Sequence, residues 1–322
     1  MSILHYEHDA TTYLGRIGFY GVCMFYVLSG LTLYIVYQNK MNNGFNSIKL
    51  FLLKRFFRIF PLLWLVIFFS VFRSLFFNNS YTEYGKLFLN LTGLFGFFSW
   101  SNYIGMGVWS IGNELVFYSL FPILIFALHK SKSLFFFIYL FSFMLFIYFT
   151  FFKLNDINAS DYWHYYTNPL NHLFYFTSGL AIGVISKYKL NNKVLLSIFF
   201  SSVIFFLFWP IEGSEYNVSN GVNRVLFTLS SILISLFFLH RNISFPGFLK
   251  RFFSFLGEIS YSIYLLHPIV ITLVLLIGHR FFEKSQMNDT IFVSISLFLT
   301  LLSSYISYTY FEKYFILIGK KY

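Results

Sequence analysis

Long apolar runs separated by short polar stretches dominate the chain. A helix that crosses hydrocarbon needs roughly 20 predominantly apolar residues. By that rule the pattern predicts spans at 18–38, 57–78, 109–128, 133–152, 169–186, 194–210, 223–240, 257–278 and 290–311. The segment 87–100 is apolar but too short to cross, and is predicted to be re-entrant or interfacial. The expected fold is all-α: a polytopic transmembrane helical bundle of about nine spans, forming a single membrane-embedded domain over residues 1–322.

Composition agrees with the pattern. Of 322 residues, 57% are hydrophobic and only 11% charged, against about 25% charged in a soluble domain. The net charge of +11 raises nucleic acid as a partner. However, the basic residues sit in short segments between apolar runs and form no contiguous basic face, so nucleic acid is not expected. The only cysteine, Cys23, excludes an intrachain disulfide and a multi-cysteine metal site. No His-Glu-x-x-His zinc motif, phosphate-binding loop or Gly-x-Ser-x-Gly elbow is present, and no metal is expected.

Lysine and arginine set the expected orientation. Lys40, Lys49, Lys54, Arg55 and Arg58 follow the first span, and alternate connections from there carry 16 of the 23 basic residues in all, against 7 on the opposite side. The richer side is expected to be cytoplasmic, which places the C-terminus inside and Met1 outside. The first residues read as the last turn of a helix, with no cleavable signal peptide because His5, Glu7, His8 and Asp9 interrupt the stretch.

Five constellations carry candidate chemistry. Gly18, Gly21, Ser29 and Gly30 are small residues on the first span, which serve either close helix packing or room for an acyl chain or substrate. Arg55 and Arg58, three residues apart, share a helix face beside Pro61. They are either snorkelling anchors or bidentate phosphate ligands at the cytoplasmic boundary. Glu114 lies in an apolar run with Trp109, Ser110, Asn113 and Tyr118 around it. A carboxylate in hydrocarbon is expensive and marks a functional site by default; the alternative is a structural acid paired with a cation. His267 precedes Pro268 within a span, as a hydrogen-bonded structural ring or a titratable one. His5 and His8 are either solvated or a general base.

Taken in order, these segments resemble the acyltransferase 3 family of integral membrane acyltransferases. The resemblance rests on Gly21-Val22 with Phe25-Tyr-Val-Leu-Ser-Gly30, Arg55-Phe-Phe-Arg58-Ile-Phe-Pro61, Trp109-Ser-Ile-Gly-Asn-Glu114 with Phe117-Tyr118 and Pro122, Ile259 to Pro268, and Phe311-Glu312-Lys313. It implies an enzyme of the bacterial inner membrane that moves an acyl group, commonly acetyl, from cytoplasmic acyl-CoA to a hydroxyl of a surface or exported polysaccharide or a lipid-linked glycan. It also implies ten spans and an essential histidine, for which His5 is the candidate and His8 the reserve. The arginine that accompanies that histidine would fall before Met1. A helix upstream of Met1, or a truncated and inactive copy, is therefore expected.

On this reading His5 withdraws the hydroxyl proton, Glu114 orients its imidazole, and Arg55 and Arg58 hold the phosphates of acyl-CoA. Ser29, Trp109, Ser110, Asn113, Tyr118 and His267 line the substrate pocket. Arginines and carboxylate are then expected on opposite sides of a hydrocarbon core about 30 Å thick. A carrier or flippase for lipid-linked sugars is the competing class, although no repeated halves with broken helices support it. A polysaccharide polymerase or ligase would need a large outer loop rich in arginine and histidine, whereas residues 79–108 hold a single basic residue, Lys86.

Overall fold

The computed structural model describes residues 12–41, 44–78, 80–155, 159–188, 190–211, 215–240, 245–281 and 289–321. Of these, 86% are helical and none is in a strand, as the apolar periodicity requires. The helices are α1 (Tyr13–Tyr37), α2 (Phe45–Asn78), α3 (Tyr84–Thr92), α4 (Phe95–Phe98), α5 (Val108–Lys130), α6 (Lys132–Tyr148), α7 (Ala159–Tyr166), α8 (Pro169–Ile185), α9 (Asn192–Phe208), α10 (Gly221–His240), α11 (Gly247–Phe281), α12 (Asp289–Ile306) and α13 (Lys313–Lys320). A π-helical turn, Phe149–Lys153, extends α6, and a second, Ser307–Glu312, joins α12 to α13.

Seven described helices, not nine, are long and apolar enough to cross a membrane. The two remaining predicted spans form α8 and α9, each of 17 residues. At 1.5 Å per residue these reach about 25 Å, the lower limit of spanning length. The protein is a multi-pass membrane protein. The segment predicted not to cross becomes α3 and α4, broken at Gly93. Gly93 has φ +75, and a Cβ there would lie 2.7 Å from the Leu115 side chain and 2.9 Å from that of Phe60. Only glycine meets both demands.

Local chemistry fixes the helix starts. Asn168 caps α8 by accepting from the Leu170 amide, with Pro169 in the first turn. Thr12 caps α1 and Ser131 caps α6 in the same way. The chain divides into two compact units, and the division falls within α5.

The first unit comprises residues 1–44 and 119–243. Its centre is the crossing of α1 and α8. A Cβ on Gly30 would fall 2.1 Å from the Phe176 carbonyl oxygen, and one on Gly179 would fall 2.0 Å from that of Val27. Gly30 therefore serves backbone packing, and the space beside it is filled by protein. A methyl group placed on Gly18 or Gly21, by contrast, would have no neighbour within 4 Å. Arg224, fully buried, donates to the side-chain oxygen of Asn171 at 2.6 Å and to its carbonyl at 3.2 Å, and lies 4.8 Å from the centre of the Phe146 ring.

The second unit comprises residues 45–118 and 244–322. Gly319 of α13 packs against Phe57 of α2. Trp64 ties α2 to α3 by donating to the Leu91 carbonyl at 2.8 Å. This unit holds the polar site.

Candidate functional site

A carboxylate withdrawn even partly from water is tolerable only when donors or cations surround it. Glu114 receives the Tyr118 hydroxyl at 3.0 Å, one turn further along α5. The Tyr118 ring in turn faces the Arg55 guanidinium, 5.7 Å away, and Phe51 offers Arg55 a second ring at the same distance. Both Arg55 and Arg58 act electrostatically on Glu114. Arginine and carboxylate thus belong to one cluster, and the expected 30 Å gap between them does not exist. The reason is the start of α2. It begins at Phe45 rather than 57, so Arg55 and Arg58 lie well inside the helix, about 15–20 Å from its first residue.

Arg58 has its own surroundings. Its guanidinium sits 5.6 Å from the Tyr261 ring and 6.0 Å from the Tyr308 ring. One nitrogen lies 3.9 Å from a Glu312 carboxylate oxygen, and another donates to the Glu258 carbonyl at 3.5 Å. The Glu312 carboxylate accepts from Ser262 and, at 3.1 Å, from Ser307. The π turn delivers it inward, a distortion often found at functional sites. Tyr261 closes the cluster, its hydroxyl donating to the Ile59 carbonyl at 2.8 Å.

A further line of hydrogen bonds leads away along α5. Tyr264 donates to the Gly107 carbonyl at 2.9 Å and accepts from Ser110 at 2.7 Å. Trp109 and Asn113 are buried on the same helix. His267 contacts the Ile263 carbonyl of its own helix at 3.1 Å, with the Tyr264 ring 5.9 Å away.

The second unit thus brings together Arg55, Arg58, Ser110, Glu114 and Tyr118 with Tyr261, Ser262, Tyr264 and Glu312. Ser29 belongs to the first unit. His5 and His8 lie outside the described residues. The sequence pattern gave no role to Glu312, Tyr261, Ser262 or Tyr264. Glu312 carried the same signal as Glu114, an acid in an apolar run.

Two guanidiniums thus face the carboxylates of Glu114 and Glu312, with that of Glu258 hydrogen-bonded to Tyr308 at the edge. An arrangement of this kind can hold an anion by exchanging one of its own carboxylates for it, and can stabilise developing negative charge through the guanidiniums. The family model described as an acyltransferase domain, acyltransferase 3, matches residues 2–309. The chain belongs to this family. It is therefore a membrane acyltransferase, and the cluster in its second unit contains four of the segments by which the sequence resembles the family. No curated protein and no solved structure matches the chain.

Proposed function

We propose that the protein transfers a short acyl group, acetyl in the simplest case, from acyl-CoA to a hydroxyl of a cell-surface or exported polysaccharide or of a lipid-linked glycan. The observation that carries this reading is the joining of Glu114, through Tyr118, to Arg55, with Arg58 beside them. Guanidiniums match phosphate groups in geometry and charge, so Arg55 and Arg58 are assigned to the phosphates of acyl-CoA. Arg58 is released for this as phosphate replaces Glu312.

In the reaction the acceptor oxygen attacks the thioester carbonyl, the C–S bond breaks, and the CoA thiolate leaves and takes up a proton. The acceptor's proton passes to a general base, assigned to His5, and Glu114 orients that imidazole and stabilises its charged form. The membrane is assigned as the bacterial inner membrane, with the C-terminus cytoplasmic, from the division of basic residues.

The test measures acylated glycan by mass spectrometry together with CoA thiol release. Glu114→Gln should lower both by about a hundredfold or more, the scale of a general-base system, with protein still in the membrane. His5→Ala should do the same. Arg58→Ala should raise the KM for acyl-CoA more than that for the glycan. Unchanged acylation in both Glu114→Gln and His5→Ala would reject the assignment.

A further inference from the structure

A cavity of about 1160 Å³ lies in the second unit, between the far end of α2, the start of α3, the 99–106 loop and the Pro268–Leu276 stretch of α11. It is distinct from the arginine cluster: Arg73 on its wall is about 22 Å further along α2 than Arg58. Its volume is at or above the upper end of small-molecule pockets, roughly 300–1,000 Å³, so it admits more than one sugar-sized ring.

The walls are held in place by a satisfied polar clamp. Buried Asn90 donates to the Lys86 and Asn102 carbonyls at 2.9 and 3.0 Å and accepts from the Ile104 amide at 2.8 Å. This fixes the loop that forms one side. Ser70, Asn102 and Tyr103 supply hydroxyl, amide and aromatic surfaces, and Phe69, Phe72, Ile269, Leu273 and Leu276 supply apolar ones. Arg73 and Lys86 supply two cations, against one carboxylate, Glu83. Neither cation is ion-paired to Glu83. Glu83 stands at the N-cap of α3, where the helix dipole favours its negative charge. Arg73 is exposed and Lys86 half-buried, so both cations are open to an anionic ligand.

We infer that this cavity binds an acidic oligosaccharide, its carboxylate set between Arg73 and Lys86 and its hydroxyls and ring faces on the polar and aromatic walls. The inference rests on the proposed function in one respect: it names the acceptor of that reaction as an acidic glycan rather than a neutral one. The lower edge of the cavity, Gly105 and Met106, runs directly into Gly107, which accepts from Tyr264 and so connects with the helix of Glu114.

The test is direct binding to full-length protein in nanodiscs, with a hexuronic acid tetrasaccharide and a neutral hexose tetrasaccharide as probes. The acidic probe should bind roughly fivefold or more tightly at low salt, from two part-exposed ion pairs, and the preference should shrink as salt rises. Arg73→Gln with Lys86→Gln should abolish the preference, while Arg73→Lys with Lys86→Arg should keep it, which separates lost charge from lost folding. Equal binding of the two probes, or a preference that survives the double glutamine change, would overturn the inference. So would acidic-probe binding that disappears in discs containing anionic lipid, since that would mean a lipid headgroup occupies the cavity. Binding needs no turnover, so Glu114→Gln should leave it intact. Acyl transfer that survives Glu114→Gln would remove the catalytic assignment and leave this one standing.

Discussion

Replacing Gly30 by alanine tests the α1–α8 crossing against an internal control. The added Cβ would lie 2.1 Å from the Phe176 carbonyl oxygen, 3.1 Å from its carbon and 3.3 Å from the Leu180 amide nitrogen. Carbon and oxygen normally approach no closer than about 3.3 Å, so the helices must part by roughly 1 Å. Overpacking of one carbon costs about 1–3 kcal/mol. Here the obstructing atoms are backbone, which places the loss at the upper end, about 3 kcal/mol before a gain of up to about 1 kcal/mol in helix propensity. Gly21→Ala on the same helix has the same propensity gain and no neighbour within 4 Å. The two variants should therefore differ by about 3 kcal/mol, a gap in melting temperature on the order of 5–10 °C. Cys23, buried on α1 and the only cysteine, reports the transition through its reaction with a thiol dye in detergent-solubilised protein. Gly179→Ala should fall with Gly30→Ala, because its Cβ meets the Val27 carbonyl oxygen at 2.0 Å. Coincident melting of the Gly30 and Gly21 variants would refute the close-packed crossing.

Three further outcomes are expected. In a double-mutant cycle, Arg58→Gln and Glu312→Gln should couple by about 1 kcal/mol in thermal unfolding, because the pair is 3.9 Å apart and the Arg58 side chain is 28% exposed; zero coupling would remove the ion pair from the account. Glu312→Gln alone should also lower the KM for acyl-CoA, since it takes away the phosphate's competitor for Arg58, and a raised KM would contradict that competition. Gly105→Ala should destabilise by about 1–2 kcal/mol, from its left-handed backbone at φ +98 and from contacts at 3.1 Å with Ser70 and Val66; a thermal midpoint equal to that of the parent would refute it.

The apolar runs were enough to place nine helices, seven of them long enough to span, and to mark the short α3–α4 segment as non-spanning. They failed at helix ends that carry charge. Lys49, Lys54 and Arg55 read as a loop, yet α2 runs through them, because long cationic side chains lay their stems along apolar surface and stack on rings. Lys250 and Arg251 hid the first turns of α11 in the same way. Glu114 and Arg55 were visible as chemistry, but their proximity was not, because Arg55 was placed at the membrane boundary from where α2 seemed to begin. The role of Glu312 depends on a π turn, and no residue pattern in Ser307–Glu312 announces that turn. Among the small residues of α1, sequence could not separate Gly30 from Gly21, since only the partner helix distinguishes them.

Two arginines, Arg224 fully buried and Arg58 partly exposed, show how the same side chain serves different ends. Arg224 makes short bonds, 2.6 and 3.2 Å, to a single residue and lies close over one ring. Both bonds leave one guanidinium nitrogen, and Arg224→Lys should lose about 2 kcal/mol of stability, because lysine can keep the charge but not the flat face over Phe146 together with both bonds. Arg58 makes only long contacts: an ion pair at 3.9 Å and a hydrogen bond at 3.5 Å, against the usual 2.9 Å or so for an N–H donor. Five N–H donors are spread over two weak acceptors and two aromatic faces. A guanidinium held in this way keeps its charge in place without saturating its donors, which suits a group that must accept a phosphate and later release it. Loss of Arg58 should accordingly appear in the acyl-CoA KM before it appears in the melting temperature, and loss of Arg224 the other way round. A variant of Arg58 that melts as early as Arg224→Lys would place Arg58 among the structural arginines and move the anion site elsewhere in the cluster.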